Sequence, residues 1–373
     1  VNSLKMLVVP LVFVSLVCGT CSLSDPSKLG RLGGKSIALY LTTTAIAITL
    51  AIALALVIAP GATDQAMTST ASFSAKEAPS LTQVLINIIP SNPVNAMAEG
   101  NMLQIIVFAL LFGIAVSLAG ESGKRIAAFF EDMNEVVMKI VNIIMNLAPY
   151  GVFFLMAKLA SEISPSTFIN VAKYFFVVLL ALGVHALVTY PTILKFLTGL
   201  NPVIFIRKMR DTALFAFSTA SSNATIPVTL ETTTKKMGVD NSIASFTVPL
   251  GATINMDGTA IMQGVATVFI AQVYGVDLSI ADYLMVILTA TLASIGTAGV
   301  PGVGLIMLAM VLQQVGLPVE GIALIIGVDR LLDMTRTAVN LTGDSMVTVI
   351  VAKTEKELDT EIYNDPWIGR KTE

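Results

Sequence analysis

This 373-residue sequence is short of charge, cysteine and histidine, and each shortage removes a class of function. Only 13% of the residues are charged against 55% hydrophobic, where soluble domains run near 25% charged, so much of the surface must face something other than water. The bilayer is the obvious candidate. A formal net charge of -3, from 22 basic and 25 acidic residues, leaves no broad basic face to neutralise a nucleic-acid backbone. With only Cys18 and Cys21, neither a disulfide framework nor a four-thiolate zinc site can be built within one chain. Their C-x-x-C spacing sits at the polar end of an apolar run, outside any βαβ context, and reads as two small helix residues. The single His185 lies in the apolar stretch 179–188, with no second histidine or cysteine nearby, and is expected to be packed or hydrogen-bonded. Val1 stands on the edge of an apolar run with no basic n-region or small-residue cleavage site. That start reads as an N-terminally incomplete chain, not a secretory signal.

What is abundant is apolar sequence in long runs. A hydrocarbon core of about 30 Å needs about 20 helical residues. The stretches 4–20, 32–58, 102–119, 126–159, 171–197, 243–273 and 322–351 are expected to cross it. Lys28, Arg31, Lys35, Lys124, Arg125, Lys195, Arg207, Lys208, Arg210, Lys235, Lys236, Lys353 and Lys356 fall on one side if these spans alternate. The opposite side holds the Ser/Thr/Ala-rich loop 61–82, with Lys76, and the segment 161–170, with no basic residue. By the excess of lysine and arginine in cytoplasmic loops, the basic side and the C-terminus are cytoplasmic.

Two further apolar segments, 212–234 and 284–312, are broken midway. The first holds the run 217–227, FSTASSNATIP, and the second the run 294–304, SIGTAGVPGVG. Non-helical backbone cannot face lipid, because each unsatisfied peptide group costs several kcal/mol there, so such breaks line an enclosed cavity. Each reads as a helix, a sharp tip and a returning helix. Two such segments, each followed by a long span carrying polar groups, are the pattern of inverted repeats that build a site near the bilayer midplane.

The last span carries Asp329, Asp333, Arg336, Thr337, Asn340 and Asp344. At 100° per residue, positions 329, 333, 336, 340 and 344 share an arc of roughly 80°. Charges at bilayer depth cost at least about 2.5 kcal/mol each, so the stripe must face protein or a water-filled cavity. Asp333 and Arg336 could simply neutralise each other across one helical turn. Three carboxylates against one guanidinium nevertheless leave an excess of negative charge for bound cations to offset. In the preceding span, the run 251–259, GATINMDGT, weakens the helix at Gly251 and Gly258 and supplies hard oxygen ligands from Asn255, Asp257 and Thr259. That donor set suits sodium at least as well as calcium.

The strings 255–259 (NMDGT), 294–302 (SIGTAGVPG) and 333–344 (DMTRTAVNLTGD) strongly resemble the glutamate transporter family, the dicarboxylate/amino acid:cation symporters, and the resemblance runs from Leu4 to about Lys353. It implies an all-α polytopic membrane protein, an elevator-type transporter with inverted repeats and two re-entrant helical hairpins, assembled as a homotrimer. It also implies one more transmembrane helix ahead of Val1. The division expected is scaffold spans at 1–82, of which the second lends residues to a sodium site, further scaffold and peripheral spans at 83–200, a transport core at 201–353 and a cytoplasmic tail at 354–373. By the same resemblance, Arg336 matches the arginine that holds the substrate's side-chain carboxylate, and Asp333 the aspartate that holds its amino group. Ser222, Thr259, Val300, Thr337 and Asn340 match positions that complete the pocket, with Ser222 and Val300 at the hairpin tips. One sodium site would use Asp344 with backbone oxygens of Gly251, Asn255 and Asn340. A second would use backbone oxygens of Thr253, Ser294, Ile295 and Thr297. The third would use Tyr40, Thr43, Asn255 and Asp257, with Thr44 beside them.

The chain departs from the family pattern at three places. The first tip reads ASSN at 220–223 where three serines are common, and neither Ala220 nor Met334 supplies the second arginine of the known arrangements, although Arg330 is near in sequence. Gln263 stands where potassium-antiporting members have a glutamate, which argues against potassium countertransport. The function implied is sodium-coupled symport of aspartate or glutamate across the cell membrane. A C4-dicarboxylate such as succinate is the alternative substrate, disfavoured because Asp333 would repel a solute lacking an amino group, and a neutral amino acid would leave Arg336 unpaired. A hydrolase lacks a nucleophile with a partner base, and a channel would conduct without saturation.

Overall fold

The computed structural model describes residues 2–21, 29–62, 89–162, 165–295 and 302–365. The expected loop 61–82, the tip residues Thr297 and Val300, and the end of the tail lie wholly or partly outside the described residues. Helices α1 (Asn2–Cys21), α2 (Gly34–Ile58), α3 (Pro93–Glu99), α4 (Met102–Leu118) and α5 (Gly120–Glu162) form the first part of the chain. Helix α6 (Pro165–Val184) passes through a π turn (His185–Thr189) into α7 (Tyr190–Thr198).

The first broken segment is a helical hairpin, α8 (Pro202–Thr219) and α9 (Ser222–Glu231) with a π turn at Thr232–Lys236. Asn201 caps α8 by accepting from the Val203 amide, with Pro202 in the first turn where no amide donor is needed. Ala220 turns the chain at φ 49, and Ser221 then caps α9 through the Ala224 amide. The expected span 243–273 is not continuous. It divides into α10 (Asn241–Ile254) and α11 (Asp257–Tyr274), with Asn255 and Met256 unwound between the two weakening glycines. The second broken segment gives α12 (Ile280–Ser294), opened by a Ser279/Asp282 capping box, and α13 (Val303–Gln314). After a 3-10 turn at Val319–Gly321, the long α14 (Ile322–Glu355) carries the polar stripe, and α15 (Thr360–Asn364) follows it.

Two helices, 31–58 and 168–198, are long and apolar enough to cross a bilayer on length and composition alone. Shorter apolar helices lie within the described residues 9–18, 104–118, 280–294 and 303–314; α14 carries the ionisable stripe along its length, and the expected span 243–273 is divided by the break between α10 and α11. Large apolar side chains stand on the outer surface, among them Val57, Leu118, Phe153, Phe154 and Phe196, the last 87% exposed. Helix α1 packs with α4 and α5, where Phe13, Phe108, Phe112 and Phe130 interlock with centroids 5.6 to 6.3 Å apart. Helix α2 packs instead on α11 and α12, and α14 lies against α8, α10, α11 and α6. Helix α11 is thereby enclosed, with every residue from Asp257 to Ala271 buried.

Candidate functional site

The unwound pair Asn255 and Met256 opens the backbone where α10 and α11 meet the middle of α14. The Asn255 side-chain amide bridges to it, donating to Asp344 Oδ1 (2.8 Å) and to the Asn340 carbonyl (2.9 Å). Asn340 answers across the same break, its Oδ1 accepting from the Gly258 amide at 2.7 Å. The helices touch backbone to side chain here. A Cβ on Gly251 would lie 2.7 Å from both Asp344 Oδ1 and the Tyr40 hydroxyl, and one on Gly258 would lie 2.7 Å from the Arg336 carbonyl. Gly251→Ala is therefore expected to push Asp344 and Tyr40 apart and to destabilise the folded chain by about 1–3 kcal/mol through overpacking. Thermal unfolding in detergent checks this, and an unchanged melting temperature would refute it.

Around this break the charges fall into two groups. In the first, Asp257 is held through both oxygens by groups from other elements: Thr44 donates to Oδ1 at 2.6 Å, Tyr190 donates to Oδ2 at 2.8 Å, and His185 Nε2 lies 3.1 Å from Oδ2. The sequence separates His185 and Tyr190 from Asp257 by 72 and 67 residues. They share a face because the π turn sets residues five apart over one another, as the bond from the Tyr190 amide to the His185 carbonyl records, and their rings meet at 4.4 Å. Two acceptors near Asp257, Asn255 Oδ1 and Asp344 Oδ2, are buried and have no hydrogen-bond partner among the described residues. A buried acceptor without a donor is costly, and a cation is the partner that removes that cost.

In the second group, Arg336 is 1% exposed and forked between two carboxylates, with Nη1 donating to Asp329 Oδ1 at 2.7 Å and Nη2 to Asp333 Oδ1 at 2.8 Å. Its Nε has no partner among the described residues. Arg330 Nη1 stands 4.0 Å from Asp333 Oδ2, so a second guanidinium does approach the aspartate. Thr337 donates to the Asp333 carbonyl at 2.9 Å. Gly304 of α13 brings the second broken segment to this point, since a Cβ there would lie 3.3 Å from Arg336 Nη2 and 3.5 Å from Thr259 Cγ2. The guanidinium thus has one edge turned to Asp329 and free hydrogen-bonding capacity at Nε for an anion.

Of the residues singled out from the sequence, Tyr40, Thr44, Gly251, Asn255, Asp257, Asn340 and Asp344 lie around the break, and Thr259, Asp333, Arg336 and Thr337 lie around the guanidinium. Thr43 is buried on α2 and donates to the Tyr40 carbonyl within its own helix. Ser222 is buried at the start of α9. Thr253 donates its hydroxyl to Pro249 and Ser294 to Thr291, each within its own helix, while Ile295 closes the end of α12. Thr297 and Val300 are outside the described residues. Two contributors escaped the sequence reading as site residues, His185 and Tyr190, while Asp329 was read as part of the polar stripe and given no separate role. The signal was available for the first, because an ionisable side chain inside an apolar span is by itself a functional hint.

A family model described as the sodium:dicarboxylate symporter family matches residues 1–354. The proton/sodium-glutamate symport protein of Bacillus caldotenax is 37% identical, over 96% of this chain and 86% of its own length. The proton/glutamate-aspartate symporter of Escherichia coli strain K12 is also 37% identical, over 96% of this chain and 84% of its own. The C4-dicarboxylate transport protein of Bacillus subtilis is 33% identical, over 96% and 86%.

Proposed function

Because this chain belongs to the sodium:dicarboxylate symporter family, we propose that it carries aspartate or glutamate across the cell membrane together with sodium, by moving a loaded core past a fixed scaffold. The chain is a membrane symporter, and the glutamate and glutamate-aspartate symporters at 37% identity support an acidic amino acid as its solute. The observation that carries this reading is the adjacency of opposite needs. Asp344 Oδ2 and Asn255 Oδ1 want a cation, and the Arg336 guanidinium, with Nε unpartnered, wants an anion.

Asp333 supplies the third point of recognition. When an acidic amino acid enters, its side-chain carboxylate takes the open edge of Arg336 and its amino group takes Asp333, while Asp329 stays as the resident counter-ion. Ser222, Thr259, Val300, Thr337 and Asn340 complete the pocket. Sodium is held by Asp344 with the oxygens of Gly251, Asn255 and Asn340; by Tyr40, Thr43, Thr44, Asn255 and Asp257; and by the oxygens of Thr253, Ser294, Ile295 and Thr297. Cation binding organises these groups and favours closure of the second hairpin over the solute. By reciprocity the solute tightens sodium, a coupling typically worth about 1–3 kcal/mol. The moving core comprises the two hairpins, α10, α11 and α14, and the packing of α2 and α6 onto α11 and α14 supports their travelling with it, in place of the scaffold role expected for these two spans from the sequence. A homotrimer with the basic side and the C-terminus in the cytoplasm completes the proposal.

A C4-dicarboxylate is the second reading, favoured by the 33% identical relative of that name. Heats of binding for aspartate, glutamate, succinate and serine, with sodium varied, separate the candidates. Aspartate or glutamate is expected to bind tightest and only with sodium. Equal uptake of labelled aspartate into liposomes with and without a sodium gradient would overturn the coupling.

A further inference from the structure

The open end of the first hairpin is crossed by a segment that the transport site does not use. After Glu355, which accepts from Arg31 in the turn before α2 and from Lys35 in its first turn, the chain turns at Lys356 and runs back over the start of α8 and the end of the π turn Thr232–Lys236. Leu358 forms an antiparallel bridge with Val239, the Asp240 amide donates to the Glu357 carbonyl at 3.0 Å, and the Asp359 amide donates to the Gly238 carbonyl at 2.8 Å. The fit leaves no slack, since a Cβ on Gly238, at φ +74, would lie 2.5 Å from the Asp359 carbonyl oxygen. Tyr363 is fully buried and donates its hydroxyl to the Asn201 carbonyl at 3.1 Å.

Lys208 joins these pieces. It belongs to α8, is 6% exposed, and its ammonium donates to the carbonyls of Lys236 (2.6 Å), Ile362 (2.7 Å) and Tyr363 (2.9 Å). Three donors meet three acceptors, one on the returning arm of the hairpin and two on the crossing segment. Those carbonyls close two helical ends, where a cation is favoured by the backbone dipole. One buried ammonium therefore ties both arms of the hairpin to the segment that spans them.

We propose that residues 357–365 are a staple across the base of the first hairpin, which holds its arms together throughout transport, keeps solute from leaking past it and leaves opening to the second hairpin. The inference rests on the reading above that the two hairpins bound the solute path. The test uses reconstituted chain with Cys18 and Cys21 replaced by Ser. Truncation after Lys356, and separately Lys208→Met, is expected to raise sodium-free efflux of labelled aspartate about tenfold and to speed hydrogen exchange in α8 and α9 about tenfold. Oxidation of Val239→Cys/Leu358→Cys, which locks the bridge covalently, is expected to leave sodium-driven uptake unchanged. Unaltered leak and exchange in Lys208→Met would overturn the staple, whether or not the truncated chain folds. Uptake that stops on oxidation and returns with dithiothreitol would overturn it too, by showing a latch that must open. If the unmodified chain takes up no aspartate, the transport reading fails, and the exchange rates still decide whether the arms are stapled.

Discussion

Arg336→Met is expected to abolish aspartate binding, weakening it at least about a hundredfold, and to destabilise the folded chain by about 3–5 kcal/mol. The two losses have different origins. Stability falls because Asp329 and Asp333, now 2.7 and 2.8 Å from the same guanidinium, would face each other with only the exposed Arg330, 4.0 Å from Asp333, as a nearby positive charge. On the proposed reading, binding falls because the planar pair of donors that meets the solute's carboxylate is gone. Arg336→Lys separates them. It keeps the positive charge but concentrates it at one point, so thermal unfolding in detergent is expected to return most of the way to the unmodified value while aspartate affinity stays low. An unchanged heat of aspartate binding in Arg336→Met would remove this residue from the site.

Asp344→Asn should erase most of the stabilisation that sodium confers. A ligand that binds the folded state alone contributes RT ln(1 + [L]/Kd), about 2.7 kcal/mol at a hundredfold excess over Kd. Asp344 Oδ2 is fully enclosed with no donor among the described residues, so on the proposed reading it is a liability in the sodium-free chain that sodium corrects. An amide is cheaper to bury than an unpaired carboxylate. The variant is accordingly expected to melt no lower than the unmodified chain in choline, yet to gain little when sodium replaces choline. The same sodium-dependent rise in both proteins would exclude Asp344 as a ligand.

Much of this site could be read from the sequence because a helix obeys one rule along its whole length. The residues 329, 333, 336, 340 and 344 had to share a face, and α14 presents them so, with Arg336 reaching one turn back to Asp333 and two turns back to Asp329. The break near Asn255 was also legible, since Gly251 and Gly258 flank it. What spacing within one helix could not give was the partner from elsewhere. Asp257 draws its ring of donors from α2 and from the turn between α6 and α7. The lone His185 read as packed or hydrogen-bonded, but the apolar stretch 179–188 around it offered no acceptor to name; its partner comes from the tertiary fold. The hairpin base escaped for the same reason, as a basic residue near the membrane edge reads from sequence as a surface charge, whereas Lys208 is buried among main-chain oxygens.

The π turn at His185–Thr189 carries a consequence for how this protein can vary. Such a turn holds one residue more than a regular helical repeat, so it absorbs an insertion while the segments on either side keep their facing. Removing one residue between His185 and Tyr190 would restore an ordinary helix and leave the two four apart, still on one face. The pair is therefore expected to stay on Asp257 after such a deletion. Relatives with a plain helix here are expected to align with a one-residue gap inside the turn and both side chains matched.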